Sequence, residues 1–308
     1  MDALTRDVYE ERRRKWRRSA FWRGFWVAAI LGLVVSVLVW GGRVGIVRDQ
    51  IARFELDGVI SDDVKRDQLF ADLAGTEGVR AVVLRINSPG GTTAGSEAVF
   101  EAVREIAAVK PVVAVMGEVA ASGGYVAAIA ADHIVARGNT LTGSIGVILE
   151  YPDLTGLIGR LGVEMETVRS SELKAEPSPF RPSNPAARAV EAALIADSYA
   201  WFRGLVAERR DLAGAELDAA ANGQVFTGRL ALARGLIDEI GGEREALTWL
   251  ESRDPDLAGL PVEDWRVERG EGPIGAILGQ VGGWIGSSGG ILGEISRLAS
   301  PRLYSLGP

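Results

Sequence analysis

"PVVAVMGEVAASGGYVAAIAA", residues 111–131, is the stretch on which the fold assignment turns. "PVVAVM" (111–116) is a continuous apolar run of the kind found in strands covered on both faces. "GEVAASGG" turns the chain, and an alanine-rich helix is expected over 123–131. Ser122 sits in the turn, between two alanines and two glycines. A serine there is either a small residue at a tight packing point or a nucleophile, and the stretch alone leaves both open.

The same alternation of strand and helix recurs on either side. "RFELDGVI" (53–60) reads as a strand, followed by a helix over "DDVKRDQLFADLAG" capped by Ser61. "VRAVVLRI" (79–86) reads as a second buried strand. It ends in "NSPGG" (87–91), and a helical pattern runs from Thr92 to Val109. "DHIVA", "SIGVI" and "VEMETVR" read as further strands. A long helix is expected from Asn184 as cap, with Pro185 at its first position, to about Asp211. "FTGRLALARGLIDEIGG" (226–242) reads as a capped helix, a stop at Gly235 and a short strand. This order implies an α/β domain with a mainly parallel sheet and flanking helices.

The chain has 308 residues, 47% of them apolar, which suffices for a real core. It has no cysteine and one histidine, His133. That composition excludes disulfides, thiolate chemistry and multi-histidine metal sites, and no cofactor or metal is expected. Residues 1–24 carry eight Lys or Arg against four Asp or Glu, while the rest of the chain carries 26 against 37. An acidic body argues against a nucleic-acid partner, and a basic head suits a membrane surface.

Residues 24–42, "GFWVAAILGLVVSVLVWGG", carry no charge. As a helix they would span about 28 Å, close to the hydrocarbon thickness of a bilayer. Trp22, Trp26 and Trp40 lie near the two ends, where indole rings favour the headgroup layer. The preceding "RRRKWRR" keeps the N-terminus in the cytoplasm by the positive-inside bias. The expected order is a cytoplasmic basic tail over 1–23, a transmembrane anchor over 24–42 and a body over 53–250 on the far side. A cleaved signal peptide is the competing reading, although Val39 and Trp40 make a poor cleavage site. The stretch "GPIGAILGQVGGWIGSSGGIL" (272–292) belongs to a glycine-rich extension over 251–308. Its apolar residues recur at a helix-like period, which leaves a mobile tail and a membrane or subunit contact both open.

The carboxyl ends of parallel strands are where ligands sit. "NSPGG" and "ASGG" (121–124) should therefore meet at one rim, each opening a helix whose first N–H groups are unpaired. Those donors suit an oxyanion formed during acyl transfer, with Gly91 and Gly123 as candidates. A serine nucleophile needs a base. His133 falls near the opposite rim and reads as structural. The lysines of the body are Lys65, Lys110 and Lys174. Lys65 and Lys110 belong to helices, whereas Lys174 lies in "SSELKAEPSPFRP" (170–182), an irregular segment of the kind that carries function. A lysine acts as a base only when its amine is neutral. Glu172 and Glu176, on its face if the strand is extended, would oppose that. Spacing alone leaves Lys174 open as a base or as an ordinary solvated lysine.

"INSPGG", "AASGGYVAA", "LTGSIGV", "LKAEPSPFRP" and "FTGRLALARGLIDEIGG" occur in the order seen in the signal peptide peptidase A (SppA) family. The resemblance covers about residues 53–250 and includes a 52-residue interval from Ser122 to Lys174. It implies a membrane-anchored bacterial Ser–Lys peptidase with the Clp/crotonase fold. By position, Ser122 matches the nucleophile, Lys174 the general base, Ser144 the serine that helps hold the lysine, and Gly91 and Gly123 the oxyanion hole. It also implies a homo-oligomer (in the family's shorter members serine and lysine come from neighbouring subunits), a lipid bilayer as partner, and remnant signal peptides or other unstructured apolar peptides as substrates. The implied location is the inner membrane, with the catalytic domain extracytoplasmic. A crotonase-like acyl-CoA enzyme and an inactive membrane scaffold are the alternatives.

Overall fold

The computed structural model describes residues 48–267 apart from Ser183, together with isolated helical positions between Trp22 and Leu33. Most of the expected anchor and all of the glycine-rich stretch 272–292 lie outside these residues. Among the described residues no helix is long and apolar enough to cross a membrane.

Three long parallel strands form the centre: β1 (Gln50–Ile60), β2 (Val79–Gly91) and β3 (Val112–Ala121). Between them run α1 (Val64–Gly75) and α2 (Thr93–Ala107), and after β3 comes α3 (Gly123–Ile129). The near-continuous apolar runs of β2 and β3 are buried on both faces, as a parallel sheet requires. On one face Val83, Val113 and Val115 pack against Ala246 and Leu250 of α8 (Glu243–Arg253) and Leu257 beyond it. On the other, Phe54 meets Phe70 of α1 edge to face, with ring centroids 4.9 Å apart. Burying such side chains stabilises the fold by about 1.5–3 kcal/mol each. Helix α3 is buried along its whole length, and its Tyr125 hydroxyl donates to the Leu236 carbonyl at 2.8 Å. Burial pushes that phenol far above its ordinary range, so it remains a neutral donor.

Strand β3 has two neighbours on one side. Its first half pairs with β4 (His133–Ala136), with Val113 opposite His133; its second half pairs with β5 (Leu141–Gly143), with Ala121 opposite Gly143. Gly117 and Glu118 lie between the two pairings. The consequence is positional. His133 is level with the start of β3 and Ser122 follows its end, so the two lie at opposite ends of that strand. The long helix α5 (Pro185–Arg210) and shorter elements complete the body: α4 (Thr155–Arg160), α6 (Gly214–Ala220), β6 (Val225–Thr227), α7 (Gly228–Ala233) and β7 (Glu239–Ile240). Among the described strands only β6 runs antiparallel, against β5. Strand β8 (Val262–Trp265) pairs with β1, so the packed body continues to Trp265, past residue 250 where the family resemblance ends.

Several local expectations are met. Asn184 caps α5 by accepting from Ala187 N at 2.6 Å, and Thr227 caps α7. Others are corrected. The cap of α1 is Asp63, whose carboxylate accepts from Lys65 N and Arg66 N, because Asp63 rather than Ser61 directly precedes the first turn. The fifth strand is 141–143 rather than "SIGVI", since the ladder ends where Ser144 turns away. "VEMETVR" is no strand: it pairs with nothing in the sheet and is exposed.

Candidate active site

Ser122 joins β3 to α3 with φ +53° and ψ −120°, a left-handed conformation that a non-glycine residue holds at a cost of order 1–3 kcal/mol. The turn is over-determined by its neighbours. Ser122 N donates to the Gly143 carbonyl at 2.9 Å, and its own carbonyl accepts from Tyr125 N and Val126 N. The side chain is thereby presented at the rim on a sharp strand-to-helix turn, as nucleophile turns are. Ser144, next to Gly143, is also left-handed at φ +51°, with its N–H on the Gln224 carbonyl at 2.7 Å. Four described non-glycine residues have positive φ: Ser122, Ser144, Ala175 and Asp211. Asp211 ends a helix. The other three are two candidate site serines and the neighbour of Lys174.

The structure brings the two glycine turns together. Gly90 has φ +106°, and a Cβ there would lie 2.7 Å from Gly123 N and 2.9 Å from Ser122 Cβ. Its own N–H is held by the buried Ser88 Oγ at 3.1 Å. At Gly91 a Cβ would strike the Ile60 carbonyl at 1.7 Å. Thr92 N donates to that carbonyl at 2.9 Å, and Gly91 and Ser122 line one cleft. Gly123 N belongs to the first turn of α3, where N–H groups lack helical acceptors. Gly90 and Ser88 were not singled out in the sequence; the doubled glycine after "NSP" was the available signal.

A cleft of about 1090 Å³ opens here, lined by Gly91, Ser122, Ser144, Ile145, Ile195 and Tyr199 among others. Its far wall is one face of α5, an arrangement that linear sequence did not reveal. Lys174 is not among the lining residues. It sits exposed in an irregular segment, with its N–H on the Ser171 carbonyl at 3.2 Å. Glu176 does not share its face as an extended strand would require: that carboxylate turns inward, onto Arg169 and Arg181. His133 is structural as expected. Its ring stacks on Trp249 at 4.7 Å, and Nε2 lies 3.3 Å from Glu239.

Peptidase family S49 matches residues 104–255 of this chain. A candidate protease of Synechocystis sp. is 37% identical over 223 residues, which cover 70% of this chain and 80% of that protein. The chain belongs to the SppA family of serine peptidases. Protease 4 of Haemophilus influenzae is 37% identical over 191 residues, and the chloroplastic serine protease SPPA of Arabidopsis thaliana is 39% identical over 176. The match covers 31% and 25% of those longer proteins. Within this SppA-family chain, residues 104–255 include Ser122, Gly123, Ser144 and Lys174, whereas Gly90 and Gly91 precede the matched span.

Proposed function

We propose that the protein is a serine endopeptidase in which Ser122 attacks the peptide and Lys174 of a neighbouring copy is the general base. The observation that carries the reading is the left-handed Ser122 turn wedged against the Gly90–Gly91 turn. In this reading the N–H groups of Gly91 and Gly123 serve the Ser122 hydroxyl at the mouth of the cleft. Lys174 Nζ takes the Ser122 proton as Oγ attacks the scissile carbonyl, and the two N–H groups receive the developing oxyanion. The lysine then donates that proton to the leaving amine. In the second half, water attacks the acyl-serine with the same lysine as base. Ser144, fixed beside Ser122 through Gly143, is suited to orient the arriving amine.

Two features support sharing between subunits: Lys174 stands outside the cleft of its own chain, and large apolar side chains of the cleft wall and of residues 161–168 are bare. Ile148, Leu161, Met165, Val168 and Leu194 are all exposed, a density that marks a covered surface in the working assembly. The mainly parallel sheet with helices on both faces fits a Clp/crotonase-like domain. The apolar lining formed by Ile145, Val147 and Ile195 suits unstructured apolar peptides. Remnant signal peptides are the proposed substrates, because the uncharged segment 24–42 and the basic tail would hold the body at the outer face of a bacterial inner membrane.

The test is complementation. Ser122→Ala and Lys174→Ala should each abolish peptide hydrolysis, and mixed oligomers of the two should recover a fraction of it. Activity surviving in both single variants would remove the dyad, and verified mixed oligomers without recovery would place the site within one chain.

A further inference from the structure

The proposed base stands on a segment without regular secondary structure, yet its shape is closely fixed. Arg169 Nη1 donates both to the Glu172 carbonyl, at 2.8 Å, and to the Glu176 carboxylate. One guanidinium thus pins the two ends of a five-residue arc with Lys174 at its centre. Arg181 Nη2 lies 3.0 Å from the same Glu176 oxygen and ties the arc to the chain that follows. Lys174 N donates to the carbonyl of Ser171, just before the arc, and Glu176 N to that of Leu173 within it. Ala175 adopts φ +61° between them.

Burial distinguishes this from an ordinary surface ion pair. The Glu176 side chain is 5% exposed, and its Oε2 is buried without a partner, while Glu172, Leu173 and Lys174 on the same arc are exposed. Removing a carboxylate from water is costly unless it is well paired. Exposed pairs, by contrast, contribute little. A loop that turns one glutamate inward onto two arginines, two residues from an outward lysine, fixes where that lysine leaves the backbone.

We infer that Glu176, Arg169 and Arg181 are positioning residues for Lys174, setting the direction in which its amine is offered to the neighbouring Ser122. The inference rests on the reading of Lys174 as the base. A misplaced catalytic group loses rate rather than substrate affinity, by up to about 10²-fold for a displacement near 1 Å.

The experiment is a double-mutant cycle on the assembled full-length enzyme, using an activated ester that Lys174→Ala still hydrolyses slowly. Glu176→Gln should lower kcat by about tenfold or more with KM little changed, since the arc loosens while the cleft stays intact. In the Lys174→Ala background the same substitution should have no further effect. Arg181→Lys should retain more activity than Arg181→Met, an independent arm should Glu176→Gln fold poorly. Equal losses in both backgrounds would make the clamp merely structural and overturn the inference. Wild-type kcat in Glu176→Gln alongside an impaired Lys174→Ala would overturn it while sparing the base. An unimpaired Lys174→Ala would remove the base itself, and the inference with it.

Discussion

Gly90 and Gly123 meet backbone to backbone: a Cβ on Gly90 would lie 2.7 Å from Gly123 N. That approach joins the turn after β2 to the turn before α3, and no flexible side chain intervenes to give way. Gly90→Ala must therefore push the two turns apart, besides straining φ +106°. Loss of one well-aimed oxyanion donor lowers kcat by roughly 10²–10³-fold, and a loss of that order is expected here. Gly58→Ala is the control. It also has positive φ, at +73°, but a Cβ there meets nothing within 4 Å, so it should lower the melting temperature and spare kcat. Comparable kcat in the two variants would show that the approach has no part in catalysis.

The α5 wall of the cleft sets what fits beside Ser122. Ala192 and Ala196 lie one helical turn apart, and both line it. Ala192→Trp should narrow the cleft, raising KM for peptides severalfold, while a small serine-directed acylating probe still labels Ser122 at the wild-type rate. Both residues are exposed in the single chain, so little loss of stability is expected. Equal losses for probe and peptide would mean that this wall does not contact substrate.

Where chain-local physics decides the outcome, the fold was legible. Apolar runs marked β2 and β3 as strands buried on both faces, and Asn184 with Pro185 marked the start of α5. "VEMETVR" failed as a strand because alternation of apolar residues does not supply a partner, and no edge of the sheet reaches it. The two glycine turns could be assigned to one rim because parallel strands end together. What could not be read were contacts set by tertiary approach: Gly90 against Gly123, the α5 wall, and Glu176 drawn inward by two arginines. Charge patterning placed Glu176 beside Lys174 in sequence, but the direction of its carboxylate depends on burial.

His133 supports the far end of the sheet from the cleft. Its ring stacks on Trp249 with planes 8° apart, joining β4 to α8, and it faces Asp238 and Glu239 through its two nitrogens. His133→Ala should destabilise the fold by about 1 kcal/mol through the lost aromatic contact and leave kcat unaltered. Thermal denaturation and peptide kinetics on the same preparation check both halves. A drop in kcat with unchanged stability would show that His133 acts in catalysis.

Acid should loosen α8 through a single glutamate. Glu245 Oε2 accepts from Gly242 N at 2.8 Å, and Oε1 accepts from both Arg244 Nε and Nη2. The backbone N–H, with help from the Arg244 guanidinium, pulls this carboxyl from near 4.5 down to about 2. Because the folded value is the lower one, the contribution to stability is fully present above pH 4.5 and is lost as pH falls toward 2. Glu245→Gln keeps an acceptor for Gly242 N but has no proton to take up. Its melting temperature should lie below wild type at pH 7, and the two curves should converge as pH falls from about 4.5 to 2. Since Ala246 and Leu250 of this helix pack on Val113 and Val115, the loosening should appear as loss of hydrogen-exchange protection in β3 as well as in α8. Parallel pH curves for the two proteins would show that the Glu245 charge does not hold this helix end.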